Sequence, residues 1–364
     1  MEGKIVIFIP TLTSGGAERV ASILANEWCQ KYSVTVITYF ENPSFYKISD
    51  RVRHICLGRK ANKNSIARII DVGIGLVRLR RIIVGLKPIF VLSFMNKYNC
   101  FCLASMLGSG IPVVVSERDS PTEKLPTIRV LARKMLYRFA AGVICQTEDG
   151  KKFIDAEAKN RCSIVISNPI NKIVDVSARR PEKVILNVSR LVRKKGHIQL
   201  LEAFAKSGLE DWTLVLCGEG EERERIKDHA RSLGVDERVV LMGLTEDLSC
   251  HFKTAGIFAF SSLYEGYPNA LAEAMVSGIP CVSYDCPTGP SEIIKNGVNG
   301  LLVPVGDVGG LARCLRYLAT DSEYAETLGM SASNIYEHVK SGAIAAEYLN
   351  FCIKVSRVDR VSSK

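Results

Sequence analysis

The stretch from Ile257 to Ser283, IFAFSSLYEGYPNALAEAMVSGIPCVS, carries the pattern that decides the fold. An apolar run at Ile257–Ser261 is followed by a polar loop, an apolar helical segment and a second apolar run at Pro280–Ser283. The same alternation recurs along the chain. Strands that are apolar throughout are expected where both faces of a sheet are covered. The pattern predicts an α/β fold of parallel sheets with crossover helices.

The chain length and one proline predict the domain organisation. A chain of 364 residues exceeds the usual size of one domain and predicts two. Asn168-Pro169 is a candidate hinge, because proline favours an extended chain before it and a polar, basic stretch follows. We expect two doubly wound, Rossmann-like domains that face a cleft, at residues 1–168 and 169–335. A C-terminal helix with a frayed tail, residues 336–364, can pack back on the first domain or against the second.

The composition excludes several classes of protein. A hydrophobic share of 47% and a charged share of 24% are typical of a soluble globular protein. The most apolar long stretch, residues 66–86, carries five charged side chains, too many for a membrane-spanning helix. The twelve cysteines form no C-x-x-C pair and lie mostly in apolar runs, which indicates buried thiols in a reducing cytoplasm. The five histidines lie apart from the cysteines, so no metal site is expected.

The positive charge of the chain is concentrated in its first half. Residues 1–168 contain 25 Lys and Arg against 13 Asp and Glu, a net charge of +12, whereas the remainder has 23 against 25, a net charge of −2. The first half therefore predicts an anionic partner: a membrane surface, a phospholipid-like acceptor or nucleic acid.

Two glutamates in the opening stretch are the strongest candidate functional residues. Glu265 lies in the predicted loop and Glu273 in the following helix, eight positions later, so both can face one pocket. Carboxylates accept hydrogen bonds from sugar and ribose hydroxyls, and the start of the helix favours an anion. By spacing alone, two surface glutamates flanking a helix cap are an equally good interpretation.

Two further loops have the composition of phosphate-binding segments. Ser189-Arg-Leu-Val-Arg-Lys-Lys-Gly196 joins a predicted strand to a helix, where an open α/β sheet binds phosphates. Gly15-Gly16 follows the first strand and allows a ligand to approach the backbone closely. Taken singly, the alternatives are a solvated basic loop and a simple turn.

Together these segments resemble family 4 of the GT-B-fold glycosyltransferases over nearly the whole chain. The matching pieces are Gly15–Arg19, Ser189-Arg190 with Lys195-Gly196, Glu265 with Glu273, Ser277–Pro280 and Asn299–Val303. The two glutamates with the upstream Arg and Lys are a highly specific combination.

The resemblance implies roles for these residues. Arg190 and Lys195 would hold the donor diphosphate, and Glu265 would contact the transferred sugar. The other donor-binding positions, which would meet sugar, ribose and phosphate oxygens, are Gly16, Tyr267, Asn269, Ala270, Leu271 and Glu273. Transfer would retain the anomeric configuration without a metal or another cofactor, by electrostatic stabilisation at a preorganised site.

The first half offers candidate acceptor contacts. Gly15, Glu117 and Arg118 are assigned to the sugar or acceptor, with an ion pair capping a helix as the alternative for the last two. Five arginines in two basic segments are assigned to a lipid diphosphate or membrane surface: Arg68, Arg78, Arg81, Arg129 and Arg133. In residues 127–139, a helical wheel predicts a basic arc of Arg129, Arg133, Lys134 and Arg138. The opposite, apolar arc consists of Leu131, Met135, Leu136 and Phe139, which either rest at an anionic membrane or cover the core.

The leading hypothesis is a hexosyltransferase at the cytoplasmic face of the membrane. Residues 265–292 resemble bacterial enzymes that build lipid-linked glycans such as O-antigen and lipopolysaccharide. The expected donor is a UDP-sugar, UDP-GalNAc or UDP-galactose, and the expected acceptor is an undecaprenyl-diphosphate-linked saccharide. The alternatives are a GT-B-type sugar-nucleotide epimerase, a non-catalytic nucleotide-sugar-binding protein and a nucleic-acid-binding protein. No nucleic-acid partner is expected, because no basic, aromatic-rich reading motif is present.

Overall fold

The chain folds into two compact units. The structure is a computed structural model that describes residues 2–59, 65–118, 125–158, 162–245 and 247–362. Unit 1 comprises Met1–Pro169 together with Ser341–Lys364, and unit 2 comprises Ile170–Lys340. The chain thus passes between the units twice, after Pro169 and after Lys340. The sequence predicts these boundaries after residues 168 and 335.

Each unit contains one parallel β-sheet. The strands are β1 (Lys4–Ile9), β2 (Ser33–Phe40), β3 (Arg53–Arg59), β4 (Phe90–Phe94), β5 (Val113–Ser116), β6 (Gly142–Cys145), β7 (Ser163–Val165), β8 (Val184–Val188), β9 (Thr213–Cys217), β10 (Val239–Gly243), β11 (Ile257–Phe260), β12 (Cys281–Tyr284) and β13 (Leu301–Val303). The strand order is β3-β2-β1-β4-β5-β6-β7 in unit 1 and β10-β9-β8-β11-β12-β13 in unit 2. The expectation of parallel sheets in an α/β pattern is confirmed.

Helices connect the strands and cover the sheets. They are α1 (Gly16–Trp28), α2 (Ser65–Leu86), α3 (Asn96–Met106), α4 (Thr127–Leu136), α5 (Glu148–Ala158), α6 (His197–Ser207), α7 (Arg223–Ser232), α8 (Ser249–Thr254), α9 (Asn269–Val276), α10 (Pro290–Ile293), α11 (Val308–Thr320), α12 (Ser322–Ser333), α13 (Tyr336–Val339) and α14 (Ser341–Ser362). None of the helices in the described ranges is both long enough and apolar enough to cross a membrane.

The last helix, α14, packs on unit 1. The indole nitrogen of Trp28 donates a hydrogen bond of 2.8 Å to the carbonyl of Ala345, and Tyr348 is fully buried against the same core. A Cβ at Gly142 would come within 2.8 Å of the Phe351 ring, so the helix lies close to β6. Burial of an aromatic side chain stabilises by roughly 1.5–3 kcal/mol, which explains why the segment rejoins the first unit.

The strand order marks where each unit is expected to bind ligands. In unit 2 the order reverses between β8 and β11, and in unit 1 between β1 and β4. Loops that leave adjacent strands in opposite directions open a crevice at the carboxyl ends of the strands, which is where open α/β sheets bind ligands. The loop at residues 189–196 follows β8, and the loop at residues 261–268 follows β11. The two strongest sequence motifs therefore meet at the switch point of unit 2.

Candidate active site

Hydrogen bonds to main-chain carbonyls join the loops that follow β8 and β11. The Ser261 hydroxyl donates to the Lys195 carbonyl at 2.9 Å, and the Leu263 amide donates to the Lys194 carbonyl at 2.8 Å. Gly196 adopts a left-handed conformation, φ 66°, and a Cβ there would overlap the carbonyl oxygen of Ser261. A glycine is required at this position for both reasons, so the close approach of the two loops depends on Gly196.

The side chains of Lys195 and Glu265 form an ion pair at this junction. Lys195 Nζ donates a hydrogen bond to Glu265 Oε1. The two side chains are only 15% and 9% exposed, so water screens their attraction incompletely. The Lys195 ammonium also lies 5.7 Å from the centre of the Phe260 ring, which adds a weaker attraction. The structure brings together two of the three predicted catalytic residues.

The third predicted catalytic residue, Arg190, is exposed at the start of the same loop. The neighbouring Leu191 amide donates to the Glu219 carbonyl at 2.9 Å, which ties this part of the loop to the end of β9. Side chains at Gly218 or Gly220 would overlap the backbone of residues 189–191. The loop is therefore held from both neighbouring strands, while Arg190 itself is exposed.

Glu273 is buried in the second turn of α9, with 2% exposure. Asn269 and Ala270, at the start of that helix, are half-buried. Tyr267 is buried in the loop before it, and the Leu271 side chain is fully buried in the core. Leu271 can therefore reach a ligand only with its backbone, as the sequence resemblance implies. Helix α9 begins one residue after Pro268, which occupies the capping position.

A buried hydrogen-bonded chain lies beneath the loop at residues 189–196. The Asn187 amide donates to the Ala259 carbonyl at 2.8 Å, and the Ser189 hydroxyl donates to Asn187 Oδ1 at 2.8 Å. His197 Nε2 lies 2.9 Å from the same hydroxyl, and since that hydroxyl donates to Asn187, the ring nitrogen carries the proton. Burial, with the positive charge of Lys195, lowers the pKa of His197 to about 4. The imidazole is neutral at physiological pH and fixes the first residue of α6.

A third loop, residues 285–289 after β12, contacts the Glu265 segment. The Thr288 hydroxyl donates to the main-chain carbonyl of Glu265. Burial, together with the charge of Glu265, raises the pKa of Cys286 to about 12. The Cys286 thiol stays protonated at neutral pH, which excludes it as a thiolate nucleophile.

In unit 1, the glycine pair lies where the sequence predicts. Gly15 precedes α1, and Gly16 is the exposed first residue of the helix. Within this turn, the Thr11 hydroxyl donates to Glu18 Oε1 at 2.9 Å. Burial lowers the pKa of Arg118, and the charges of Glu117 and Glu18 oppose that shift, so Glu18 lies near the end of β5.

Glu117 and Arg118 take part in a buried polar network. The Tyr137 hydroxyl donates to Glu117 Oε2 at 2.7 Å. The Arg118 guanidinium donates to Asn168 Oδ1 and, at 3.0 Å, to the Tyr348 hydroxyl. Both side chains are committed to contacts within unit 1, and their role in acceptor binding stays a prediction.

The prediction that Arg133 lies on an exposed basic arc is wrong. Arg133 is only 3% exposed, forms an ion pair with Glu157 and lies 4.0 Å from Glu117 Oε2. Its guanidinium also stacks 5.0 Å from the Phe153 ring. Arg133 faces two acidic side chains inside the unit, and helical spacing alone does not reveal partners from other elements. Arg129, one turn earlier, is exposed as predicted.

The apolar arc of α4 faces solvent. Leu131, Met135 and Phe139 are each just over half exposed, and Ile128 is 73% exposed. Leu136 alone of the four predicted arc residues packs against the core. The alternative in which this arc covers the domain core is wrong for the other three, because the helix is turned so that Arg133 and Leu136 point inward.

The predicted lipid-binding arginines of α2 differ in their surroundings. Arg78 is exposed, and its Nη1 donates to the Leu57 carbonyl on β3 at 2.8 Å. Arg81 is exposed on the same helix. The side chain of Arg68 lies outside the described residues.

Comparisons with known proteins relate unit 2, and then the whole chain, to glycosyltransferases. Residues 170–334, which are almost all of unit 2, match the family described as "Glycosyl transferases group 1". The chain is 26% identical over 358 residues to a GalNAc-α-(1→4)-GalNAc-α-(1→3)-diNAcBac-PP-undecaprenol α-1,4-N-acetyl-D-galactosaminyltransferase of Campylobacter jejuni, covering 97% of this chain and 99% of that protein. The chain is a GT-B-fold glycosyltransferase.

Two further comparisons extend over the whole of this glycosyltransferase. A second C. jejuni protein, named N-acetylgalactosamine-N,N'-diacetylbacillosaminyl-diphospho-undecaprenol 4-α-N-acetylgalactosaminyltransferase, is 25% identical and covers 95% of this chain and 99% of its own. The crystal structure of Anabaena HepE in complex with UDP and glucose superposes with a TM-score of 0.79 at 18% identity, covering 96% of this chain and 98% of that one. The resemblance stated from the sequence motifs, and the GT-B fold it implied, are confirmed.

Several residues of the site in this glycosyltransferase were not assigned from the sequence. His197 and Asn187 stabilise the loop that carries Arg190 and Lys195, and Thr288 contacts Glu265. A signal was available for His197, because it directly follows Gly196 in the basic loop. The contact made by Thr288 joins positions 23 residues apart and depends on the sheet order, so spacing could not show it.

Proposed function

We propose that the chain transfers an N-acetylhexosamine or hexose from UDP-GalNAc or UDP-galactose to an undecaprenyl-diphosphate-linked saccharide. Transfer retains the anomeric configuration and uses no metal ion. The observation that carries the proposal is the Lys195–Glu265 pair at the switch point of unit 2, with Arg190 exposed in the same loop. Both C. jejuni relatives carry names that specify diphospho-undecaprenol-linked acceptors and N-acetylgalactosaminyl transfer.

In this proposal Arg190 and Lys195 bind the donor diphosphate. Their positive charges neutralise the negative charge that builds up on the leaving UDP, the task a divalent cation performs in other transferases. Lys195 is held by Glu265 before the donor arrives, so its ammonium is already oriented and little reorganisation is needed. Within the described ranges, no group of three or more His, Cys, Asp or Glu side chains is arranged to hold a metal ion.

The glutamates bind hydroxyl groups of the donor in this proposal. Glu265 accepts hydrogen bonds from the transferred sugar, and Glu273 accepts them from the ribose. The backbone amides at the start of α9, near Tyr267, Asn269 and Ala270, donate to sugar or phosphate oxygens. For two residues of unit 1, we propose a donor-binding role for Gly16, the exposed first residue of α1, and an acceptor contact for Gly15.

The activity is tested by incubating the protein with a panel of UDP-sugars and measuring UDP release with and without a lipid-linked saccharide acceptor. We expect UDP release that depends on the acceptor, is strongest with UDP-GalNAc or UDP-galactose, and persists in EDTA. Release of an epimerised sugar nucleotide without acceptor, or strict dependence on a divalent cation, would contradict the proposal.

We further propose that α4 rests on an anionic membrane surface at the cytoplasmic face. Its exposed apolar arc, Leu131 and Met135 with Phe139 in the turn that follows the helix, is flanked by the exposed basic residues Arg129 and Arg138. Insertion of such an arc at the level of the lipid headgroups removes apolar area from water, and the basic flank attracts anionic lipids. The arrangement keeps the enzyme where its lipid-linked acceptor lies.

Flotation with liposomes tests this second proposal. We expect co-flotation with vesicles that contain an anionic lipid and little binding to neutral vesicles. Replacing Leu131 and Phe139 by Ser should abolish flotation, whereas the matched pair Val240→Ser and Met242→Ser, exposed on unit 2, should not affect it. Equal flotation of both double variants would argue against α4 as the contact.

A further inference from the structure

The loop between β12 and α10 contains a residue in an unfavourable backbone conformation. Thr288 has φ 65°, in the left-handed region that β-branched residues rarely adopt. Such a conformation costs of the order of 1–3 kcal/mol and persists only where neighbouring contacts impose it. Glycine or asparagine would relieve the cost, so the presence of threonine indicates that its side chain performs a task.

The hydroxyl group of Thr288 makes a defined contact. It donates a hydrogen bond to the main-chain carbonyl of Glu265, and the side chain is 8% exposed. The next residue, Gly289, has φ 111°, and a Cβ there would come within 2.6 Å of Pro268 Cδ. The loop therefore touches the Glu265–Pro268 segment at both ends.

The opposite side of Glu265 faces the basic loop. Its carboxylate pairs with the Lys195 side chain, and the main-chain carbonyl of Lys195 accepts a hydrogen bond from the Ser261 hydroxyl. Lys195 is thus held by a contact that does not involve Thr288, whereas the main chain of Glu265 is held by the Thr288 hydroxyl. Loss of the Thr288 hydroxyl would free the Glu265 main chain without removing the cationic loop.

We propose that Thr288 is a positioning residue that fixes the main chain of Glu265 so that its carboxylate meets the transferred sugar in a productive orientation. The inference rests on the proposed function, in which Glu265 contacts the sugar. Because Arg190, Lys195 and Glu273 bind the UDP moiety, a change at Thr288 acts on turnover and leaves UDP affinity nearly unchanged. The strained φ is retained because the hydroxyl has to reach the carbonyl from this turn.

Three substitutions distinguish the contribution of the Thr288 hydroxyl from that of the turn conformation. Thr288→Val keeps the shape and the strained φ but loses the hydroxyl, Thr288→Ser keeps the hydroxyl, and Thr288→Gly relieves φ but loses the hydroxyl. We expect kcat to fall about tenfold in the Val and Gly variants, the scale of one lost hydrogen bond. In the Ser variant kcat should stay within about twofold of wild type. UDP affinity, measured by calorimetry, should change less than about twofold in all three.

A matched control is Thr320→Val, which removes a hydroxyl bonded to the Arg316 carbonyl on α11, away from these loops. It should leave kcat unchanged. Wild-type kcat in Thr288→Gly would show that only the turn matters, and a loss of UDP affinity equal to the loss of kcat would indicate a general collapse of the loop. Either result overturns the inference. A wild-type enzyme that releases no UDP from any sugar nucleotide would instead refute the proposed function.

Discussion

Replacing Lys195 by Met tests the ion pair at the centre of the site. Met preserves most of the side-chain length and removes the charge, so the Glu265 carboxylate, only 9% exposed, loses its partner. Removing one partner from a buried pair costs about 3–5 kcal/mol. Because Lys195 is 15% exposed and water can partly replace it, we expect about 2–3 kcal/mol. For a unit of this size that corresponds to a fall in melting temperature of roughly 4–12 °C.

A second substitution separates stability from activity. Adding Glu265→Gln to Lys195→Met removes the stranded charge, so the double variant should regain most of the lost stability. Turnover should not recover and should stay at least ~100-fold below wild type, since the diphosphate still lacks its cation. Thermal unfolding followed by circular dichroism and UDP release in the presence of acceptor measure the two quantities. Non-additivity of this kind is expected only for residues in contact.

A surface ion pair supplies the control for this experiment. Lys183 pairs with Asp211 in the same unit, with both side chains more than 60% exposed. Lys183→Met should leave the melting temperature and the turnover unchanged. If Lys195→Met has the melting temperature of wild type, or if the double variant is less stable than Lys195→Met alone, the Lys195–Glu265 ion pair does not stabilise unit 2.

Three further outcomes are expected. The pKa of His197 is lowered to about 4 from an ordinary 6.5, so below pH 6.5 the unfolded chain binds a proton that the native state does not bind. The free energy of unfolding should therefore fall from pH 6.5 towards pH 4 by up to about 1.4 kcal/mol per pH unit. In urea unfolding measured across this pH range, His197→Gln should reduce that slope, and a slope equal to that of wild type would refute the buried neutral imidazole. Arg133→Met should destabilise unit 1 by about 3 kcal/mol by stranding Glu157, against about 0.5 kcal/mol or less for the exposed Arg129→Met, in the same unfolding assay. Reversing Arg78 and Arg81 to Glu should reduce transfer to a lipid-linked acceptor more than transfer to a soluble analogue, and equal losses would exclude a lipid-specific role.

Much of the fold could be predicted because its strands are continuous apolar runs. β8 and β11 were found in this way, and the loops after them contain the site. The edge strands β3 and β13 are not predicted by apolar runs, and in β3 the exposed Arg53 and His54 interrupt the run. Edge strands are covered on fewer sides, so their sequences resemble loops.

The contacts within the site were predicted unevenly. Local sequence placed Arg190, Lys195, Glu265 and Glu273 on the right loops and helix, because each motif lies within one strand–loop–helix segment. The environment of Arg133 could not be read in that way, because Glu117 and Glu157 reach it from other elements. The same holds for the contact of Thr288 with Glu265, which the strand order creates.

Calorimetric titration of the protein with UDP in the presence of EDTA tests the central claim most directly. We predict metal-independent binding that weakens about 10–100-fold in Glu273→Ala, the scale of lost hydrogen bonds to a charged group. Binding should also weaken in Arg190→Ala and should be unchanged in Glu224→Ala, a substitution on the solvent side of α7. No binding without a divalent cation, or full affinity in Glu273→Ala and Arg190→Ala, would contradict the assignment of the unit 2 loops as the donor site.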